Sequence, residues 1–219
     1  PIGSNIKPNP PKDYNRPVWR AALGYQPNDI VAGYFGFLNS SKGIETLLQS
    51  VRIGRNKGLP IKLLMIGGRT GSSDPANIVY AREVDDMIDD LNLHEHVKWT
   101  GFVDSSAVSG HLMASDVIAL PYRDGVSLRR GSLLAALAHG CPIITTYPDD
   151  DSPDIIDRTH LRLIPPDSPT ALALAIEDLA ENPRLCTEMG ENAVKLAQGF
   201  TWEGIAEKTE HYFADLIGK

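Results

Sequence analysis

Three cationic side chains and several glycines stand where this chain turns from strand to helix, and together they suit a phosphate-bearing ligand. Lys42 closes the loop Gly36-Phe37-Leu38-Asn39-Ser40-Ser41-Lys42, just before a helical run. Arg129 and Arg130 lie between the strand-like Val117–Leu120 and an Ala/Leu-rich helical run. The same loop holds Asp124, Gly125, Ser127, Leu128, Gly131 and Ser132. Glycine lets backbone approach a ligand closely, and the first turn of a helix offers unpaired N–H groups at the positive end of its dipole. Lysine and arginine add mobile charge, so the combination predicts an anion site fit for a diphosphate. Arg129 and Arg130 are adjacent and diverge on a regular helix. One is expected at the ligand, while the other is solvated or pairs with Asp124. The Lys42 loop is not a Walker A loop, because the GxxxxGK[ST] spacing is absent.

Other candidates are weaker. Gly67-Gly68-Arg69-Thr70-Gly71 lacks the dinucleotide-fingerprint spacing and reads as a tight strand-to-helix turn with a solvated Arg69. Thr100-Gly101-Phe102-Val103 sets an aromatic beside an open backbone, where Phe102 either meets a flat base or joins the core. His139, ending the Ala/Leu helix, reads as a charge that favours a helix C-terminus. Among the six histidines only His94-x-His96 hints at ligand spacing. The acidic run Asp149-Asp150-Asp151 reads as solvated loop in preference to a cation site, so no metal is expected. No Ser/His/Asp or Cys/His nucleophile arrangement stands out.

Positioning these residues requires alternating strands and helices. β-Branched or aromatic runs at Ile30–Phe37, Ile61–Ile66, Val97–Trp99, Val117–Leu120, Ile143–Thr145 and Leu161–Ile164 read as strands. Helical spacing appears at Gly43–Lys57, Asn77–Leu91 and Ser105–Met113, and after Gly131. Three more helices are expected over Ser168–Glu181, Pro183–Gln198 and Thr201–Leu216. The strands do not alternate polar and apolar, which predicts burial on both faces of a parallel sheet. The expected class is α/β: a Rossmann-like three-layer α/β/α domain with a parallel sheet of about six strands, plus C-terminal helices. Ligands of such sheets bind at the carboxyl ends of strands, where the strand order reverses.

Residues 1–29 carry six prolines and read as an extended linker, with a short helix near Pro17–Leu23. A linker at the start implies a domain upstream. The net charge of −7 argues against a general nucleic-acid partner. Cys141 and Cys186 are far apart, which suggests a reducing, cytoplasmic setting and no disulfide scaffold. No run approaches the ~18–20 apolar residues needed to span a bilayer, and no signal peptide is visible.

The segments GFLNSSKGIETLL, IKLLMIGG, HVKWTGFV, MASDVIALPYRDG, LLAALAHGCPIITT, PPDSPTALALAIEDLAENP and FTWEGIAEK occur in this order. As a set, over roughly residues 30–217, they resemble the C-terminal half of a GT-B glycosyltransferase of the retaining group 1 (family 4) class. PIGSNI resembles the interdomain linker of that class. The resemblance implies a donor-binding domain at 30–199, a linker and N-terminal extension at 1–29, and a final helix at 200–219. That helix would pack towards a missing N-terminal, acceptor-binding domain, with Trp202 at the interdomain surface. It implies no cofactor beyond a nucleotide-diphosphate sugar as donor substrate. Membrane association would come through the missing domain. Lys42 would contact the diphosphate, Gly101 and Phe102 the base, and the loop from Asp124 to Ser132 the sugar and phosphates. Catalytic residues stay unassigned, with Asp124 and Ser127 as candidate sugar contacts.

Three departures from the family pattern stand out. Phe37 occupies the place of the arginine in the usual G-R-L, and Ser127 and Ala135 occupy the places of two glutamates. Arg129 or Arg130 is the candidate substitute for the arginine, and Asp124 for the first glutamate. Two alternatives remain open at this level: a sugar-nucleotide epimerase of the same fold, and a degenerate nucleotide-binding module.

Overall fold

The computed structural model describes residues 2–71, 75–149 and 152–217. Six strands form a wholly parallel sheet: β1 (Ile30–Phe35), β2 (Ile61–Ile66), β3 (Val97–Trp99), β4 (Val117–Leu120), β5 (Ile143–Thr146) and β6 (Arg162–Ile164). Their spatial order is β3-β2-β1-β4-β5-β6, so the order reverses between β1 and β4. β1 pairs with β2 from Ile30↔Ile61 to Phe35↔Ile66, and with β4 at Ala32↔Val117 and Gly33↔Ile118. Every residue of β4 and β5 is buried, as expected of strands covered on both faces.

Helices α1 (Arg16–Ala22), α2 (Ile44–Asn56), α3 (Pro75–Asp90), α4 (Ser105–Ala114), α5 (Gly131–Ala138), α6 (Pro169–Glu181), α7 (Pro183–Gln198) and α8 (Trp202–Ile217) supply the outer layers. α2 packs on α3 and α6, while α4 meets α1 and α5 meets α7. Among the described residues, no helix is long and apolar enough to cross a membrane. α6 and α7 both begin at a proline, whose missing N–H matters least in a first helical turn. α3 does the same, starting two residues before the expected Asn77.

Two differences from the sequence reading shape the site. β1 stops at Phe35, because Gly36 takes φ 141° and Leu38 N–H turns away to the Arg69 carbonyl. Lys42 ends a separate 3-10 turn (Ser40–Lys42), and Gly43 in the left-handed region starts α2 afresh. Gly43 is required twice over. Its φ is 67°, and a methyl group there would lie 2.0 Å from the Pro121 carbonyl oxygen. This contact pulls the β1–α2 turn against the end of β4.

Residues 2–29 lie docked along the domain. Arg20 of α1 is buried and donates to the carbonyls of Ala114 and Asp29 and to Asp116 Oδ2, at 3.0, 2.6 and 2.8 Å. Asp116 Oδ2 also accepts the Val31 N–H. Trp19 Nε1 donates to His111 Nδ1 at 3.1 Å, and Gly110 makes room for the indole. Farther along, the Asn9 N–H reaches Ser109 Oγ, which lies 2.8 Å from His139 Nε2. His139 caps α5 through Nδ1 and the Ala135 carbonyl, 2.7 Å apart. It is therefore a packing element held at both ring nitrogens, and burial works against the helix-terminal charge expected from its position.

An indole N–H only donates, so His111 must present an unprotonated Nδ1 to Trp19. Burial lowers the pKa of His111 below the ordinary 6.5. Burial does the same to His139, opposed by its bond to Ala135. The unfolded chain then takes up protons at higher pH than the native state. The stabilisation is complete above about pH 7 and is lost as pH falls below 6.5. Urea denaturation at pH 8, 7, 6 and 5 should show stability falling over the last two steps. His111→Asn retains an acceptor for Trp19 without titrating, and should flatten part of that slope.

Candidate functional site

A cleft of about 720 Å³ opens at the carboxyl ends of β1 and β4, at the point where the strand order reverses. Phe35–Asn39, Ser41 and Lys42 form one wall, and Arg129–Ser132 another. Ile2, Gly3, Asn5 and Ile6 of the N-terminal segment close a third side.

At its centre, two cations meet one aromatic ring. Tyr122 leaves β4 fully buried, with its hydroxyl 2.7 Å from Ser132 Oγ. The Arg130 guanidinium lies 4.0 Å from the centre of the Tyr122 ring, and Lys42 Nζ lies 5.1 Å from it. Arg130 is 15% exposed at its side chain and donates through Nη2 to Asp124 Oδ1 at 2.5 Å. Nη2 also reaches the Gly125 carbonyl, while Nε is buried with no partner among the described residues. Burial lowers the Lys42 pKa and the nearby Arg130 charge lowers it further, against the pull of Asp124. Partial burial pushes the Asp124 carboxyl up. The Arg130 hydrogen bond, a backbone bond and the charges of Arg130 and Lys42 outweigh this and hold it below the ordinary range. Two positive groups thus share one carboxylate and keep a net positive charge.

α5 adds to that charge. Its N-cap is Arg130, whose side chain makes no capping bond, so the first turn that lines the cleft at Gly131 and Ser132 has no side-chain cap. An anion placed there meets amides, a guanidinium and an ammonium together.

The expected site residues divide into three groups. Gly36, Phe37, Lys42, Arg129, Arg130 and Ser132 line the cleft. Arg130 takes the pairing with Asp124, which leaves Arg129 exposed on the cleft wall. Gly101 and Phe102 stand at the β3 end, beside this cleft. Gly101 bridges to Gly67, and Phe102 is 85% exposed, so it is no core residue. A methyl on Gly68 would lie 3.5 Å from Phe37 and 3.8 Å from Phe102, so this loop runs between the two rings.

Asp124, Gly125, Ser127 and Leu128 form the turn behind the arginines. Gly125 has φ 72°, and a methyl there would strike the Tyr147–Asp149 backbone. Ser127 Oγ accepts the Arg129 N–H at 3.3 Å. Leu128 is not fully open to the cleft, because its side chain packs against the hydrophobic core. Arg69 is likewise not simply solvated, since it stacks 4.5 Å from the Trp99 ring centre and pairs with Asp85. His94 pairs with Asp89 and His96 sits 3.2 Å from Lys62 Nζ, so they share no site. Asp150 and Asp151 lie outside the described residues, among which no metal-binding cluster occurs.

Tyr122 and Asn5 were missed in the sequence. The signal for Tyr122 was an aromatic directly after Pro121 at a strand exit. Asn5 carried none.

A parallel sheet covered by helices, with a cationic cleft at its switch point, defines an α/β domain of Rossmann type. The model of the family described as glycosyl transferases group 1 matches residues 15–196, and the chain belongs to that family. The D-inositol 3-phosphate glycosyltransferase of Corynebacterium diphtheriae is 26% identical over 217 residues, which is 97% of this chain and 49% of that protein. The chain therefore spans about half the length of such relatives. Sucrose-phosphate synthase from Thermosynechococcus elongatus superposes with a TM-score of 0.79 at 25% identity, over 100% of this chain and 52% of that one. HepE of Anabaena, solved with UDP and glucose, superposes with a TM-score of 0.81 at 20% identity, over 97% of this chain and 55% of that one.

Charge counting at the cleft gives a direct test with inorganic pyrophosphate. Asp124→Asn removes the shared carboxylate and should tighten pyrophosphate binding by about three- to tenfold at low salt, with a steeper salt dependence. Arg130→Ala should weaken it by about tenfold or more. Titration calorimetry at two ionic strengths reads both.

Proposed function

We propose that this chain is the donor-binding, C-terminal half of a retaining GT-B glycosyltransferase of family 4, which moves a sugar from a nucleotide-diphosphate sugar to an acceptor. The observation that carries this reading is the pair of cations over Tyr122 beside the uncapped start of α5, at the sheet's switch point. Family membership and the matching fold support it. The relatives' greater length and the exposed Tyr212, Phe213, Leu216 and Ile217 of α8 support an upstream domain packed against that helix.

In transfer, the bond between the anomeric carbon and the leaving phosphate oxygen breaks, and its electron pair stays on that oxygen. Lys42, Arg130 and the α5 amides are placed to stabilise the growing negative charge. An acceptor hydroxyl, presented by the upstream domain, gives the new glycosidic oxygen and releases its proton. The base lies on the Phe37–Phe102 side, with backbone contacts near Gly101. The sugar lies past the cations, beyond Arg129 and the start of α5, with Asp124 and Ser127 at the rim. Ala135, in place of the family glutamate, is fully buried in α5 and offers nothing to a ribose. That favours, as a second reading, a nucleotide-binding module without transfer activity.

Titration of the chain with UDP, GDP and ADP should show binding of one nucleotide diphosphate. Lys42→Ala and Arg130→Ala should each weaken it about ten- to hundredfold. The whole protein should transfer sugar, and either substitution should reduce kcat/KM by about a hundredfold or more. Binding without transfer by the whole protein would select the second reading, and absence of binding would exclude both.

A further inference from the structure

The third wall of the cleft has chemistry of its own. Asn5 lies at the surface, lining the cleft with Ile2, Gly3 and Ile6. Its Oδ1 accepts the Trp202 Nε1–H at 2.9 Å. Because an indole nitrogen only donates, this contact settles which end of the amide faces the ring. The two N–H groups of Asn5 Nδ2 are left without a partner among the described residues. Gly3 makes the contact possible: a methyl there would fall 2.6 Å from Trp202 Cγ, so a larger residue would push the segment off the indole.

The position of Asn5 along the carboxyl edge of the sheet is equally specific. Ile6, beside it, also borders a smaller apolar cavity with Leu134 and Ala138 of α5 and Val194 and Ala197 of α7. This places the segment on the α5 side of the cleft. Phe37 and Phe102 lie on the opposite side, over the ends of β1, β2 and β3. The edge therefore presents aromatic rings, then two cations, then a fixed amide with free donors. A nucleotide sugar has the same order: a flat base, a charged diphosphate, and a ring of hydroxyl acceptors.

We propose that Asn5 is a sugar-recognition residue whose amide donates to hydroxyl or acyl oxygens of the donor sugar, with Trp202 as the positioning residue that orients it. This rests on the donor-site reading above. It adds a specificity element from the N-terminal segment, and it links the start of α8 to the sugar.

The test is the indole region of nitrogen–proton correlation spectra, where Trp19, Trp99 and Trp202 each give a signal and Trp202→Phe assigns the third. The chain is titrated with UDP, UDP-glucose and UDP-N-acetylglucosamine, and with GDP and GDP-mannose. The Trp202 signal should move further with a nucleotide sugar than with its nucleotide. Asn5→Asp keeps an acceptor for the indole but has no donors. It should abolish that extra movement and weaken nucleotide-sugar binding about fivefold more than its added charge weakens binding of the nucleotide alone, leaving the Trp19 signal unchanged. A Trp202 signal identical with nucleotide and nucleotide sugar would overturn the proposal, as would an Asn5→Asp variant that keeps the full sugar-dependent movement. If no resonance responds to these nucleotides or to ADP and ADP-glucose, the donor reading itself fails and the role of Asn5 fails with it.

Discussion

Lys42 and Arg130 are two like charges brought over the same buried ring, and the cleft is arranged around keeping them there. Their mutual repulsion in a partly desolvated place opposes the arrangement, as the lowered Lys42 pKa shows. Three things offset it. The face of the Tyr122 ring attracts each cation, by about 0.5–2 kcal/mol depending on desolvation. Asp124 supplies one negative charge between them. Backbone geometry fixes the rest: Gly43 lets the Lys42 turn press on Pro121, and Gly125 lets the Asp124 turn press on residues 147–149. On the proposed reading, an arriving diphosphate would relieve the repulsion.

The same economy of charge bears on the departures from the family pattern. Where the resemblance leads one to expect an arginine on the β1 loop, Phe37 packs over the glycine loop at 68–71 and stays 46% exposed. Positive charge is supplied instead from the β4 loop, by Arg130. With Arg130 already stacked on Tyr122, an additional arginine at position 37 would bring a third charge to the two that share Asp124. Ala135 fits a related constraint. It faces the core from α5 with no exposure, and a carboxylate at that depth would need a partner that the surrounding Leu and Ala side chains do not offer.

Much of the architecture could be read from the sequence because local patterns encode it. Runs such as IVAGYF and IKLLMI are too uniformly apolar for half-exposed strands, and proline and glycine mark the helix ends. The site was readable only in outline. Which of Arg129 and Arg130 folds inward is set in the turn before α5, where Arg130 is the extended N-cap, a geometry that composition does not carry. The ring beneath them was hidden for a similar reason: Tyr122 looks like the frayed end of a strand until the Lys42 turn is laid against it. Leu128 shows the same limit, since a residue in the turn beside the cleft can still pack its side chain on the core.

Hardest to foresee were contacts of the N-terminal segment with distant parts of the chain. Six prolines in residues 1–29 correctly exclude regular structure from much of that segment, yet absence of regular structure is not absence of order. Arg20 at Asp116, Trp19 at His111, Asn9 at Ser109 and Asn5 at Trp202 spread four attachments along the segment. They link residues 92 to 197 positions apart, and Trp19 and Arg20 share one short helix. Closing such long loops costs little more for each doubling of length, so distant attachments are affordable once the domain has folded. Their effect is local all the same. They turn an irregular segment into a fixed wall of the cleft, and any displacement of α8 at Trp202 must then move that wall.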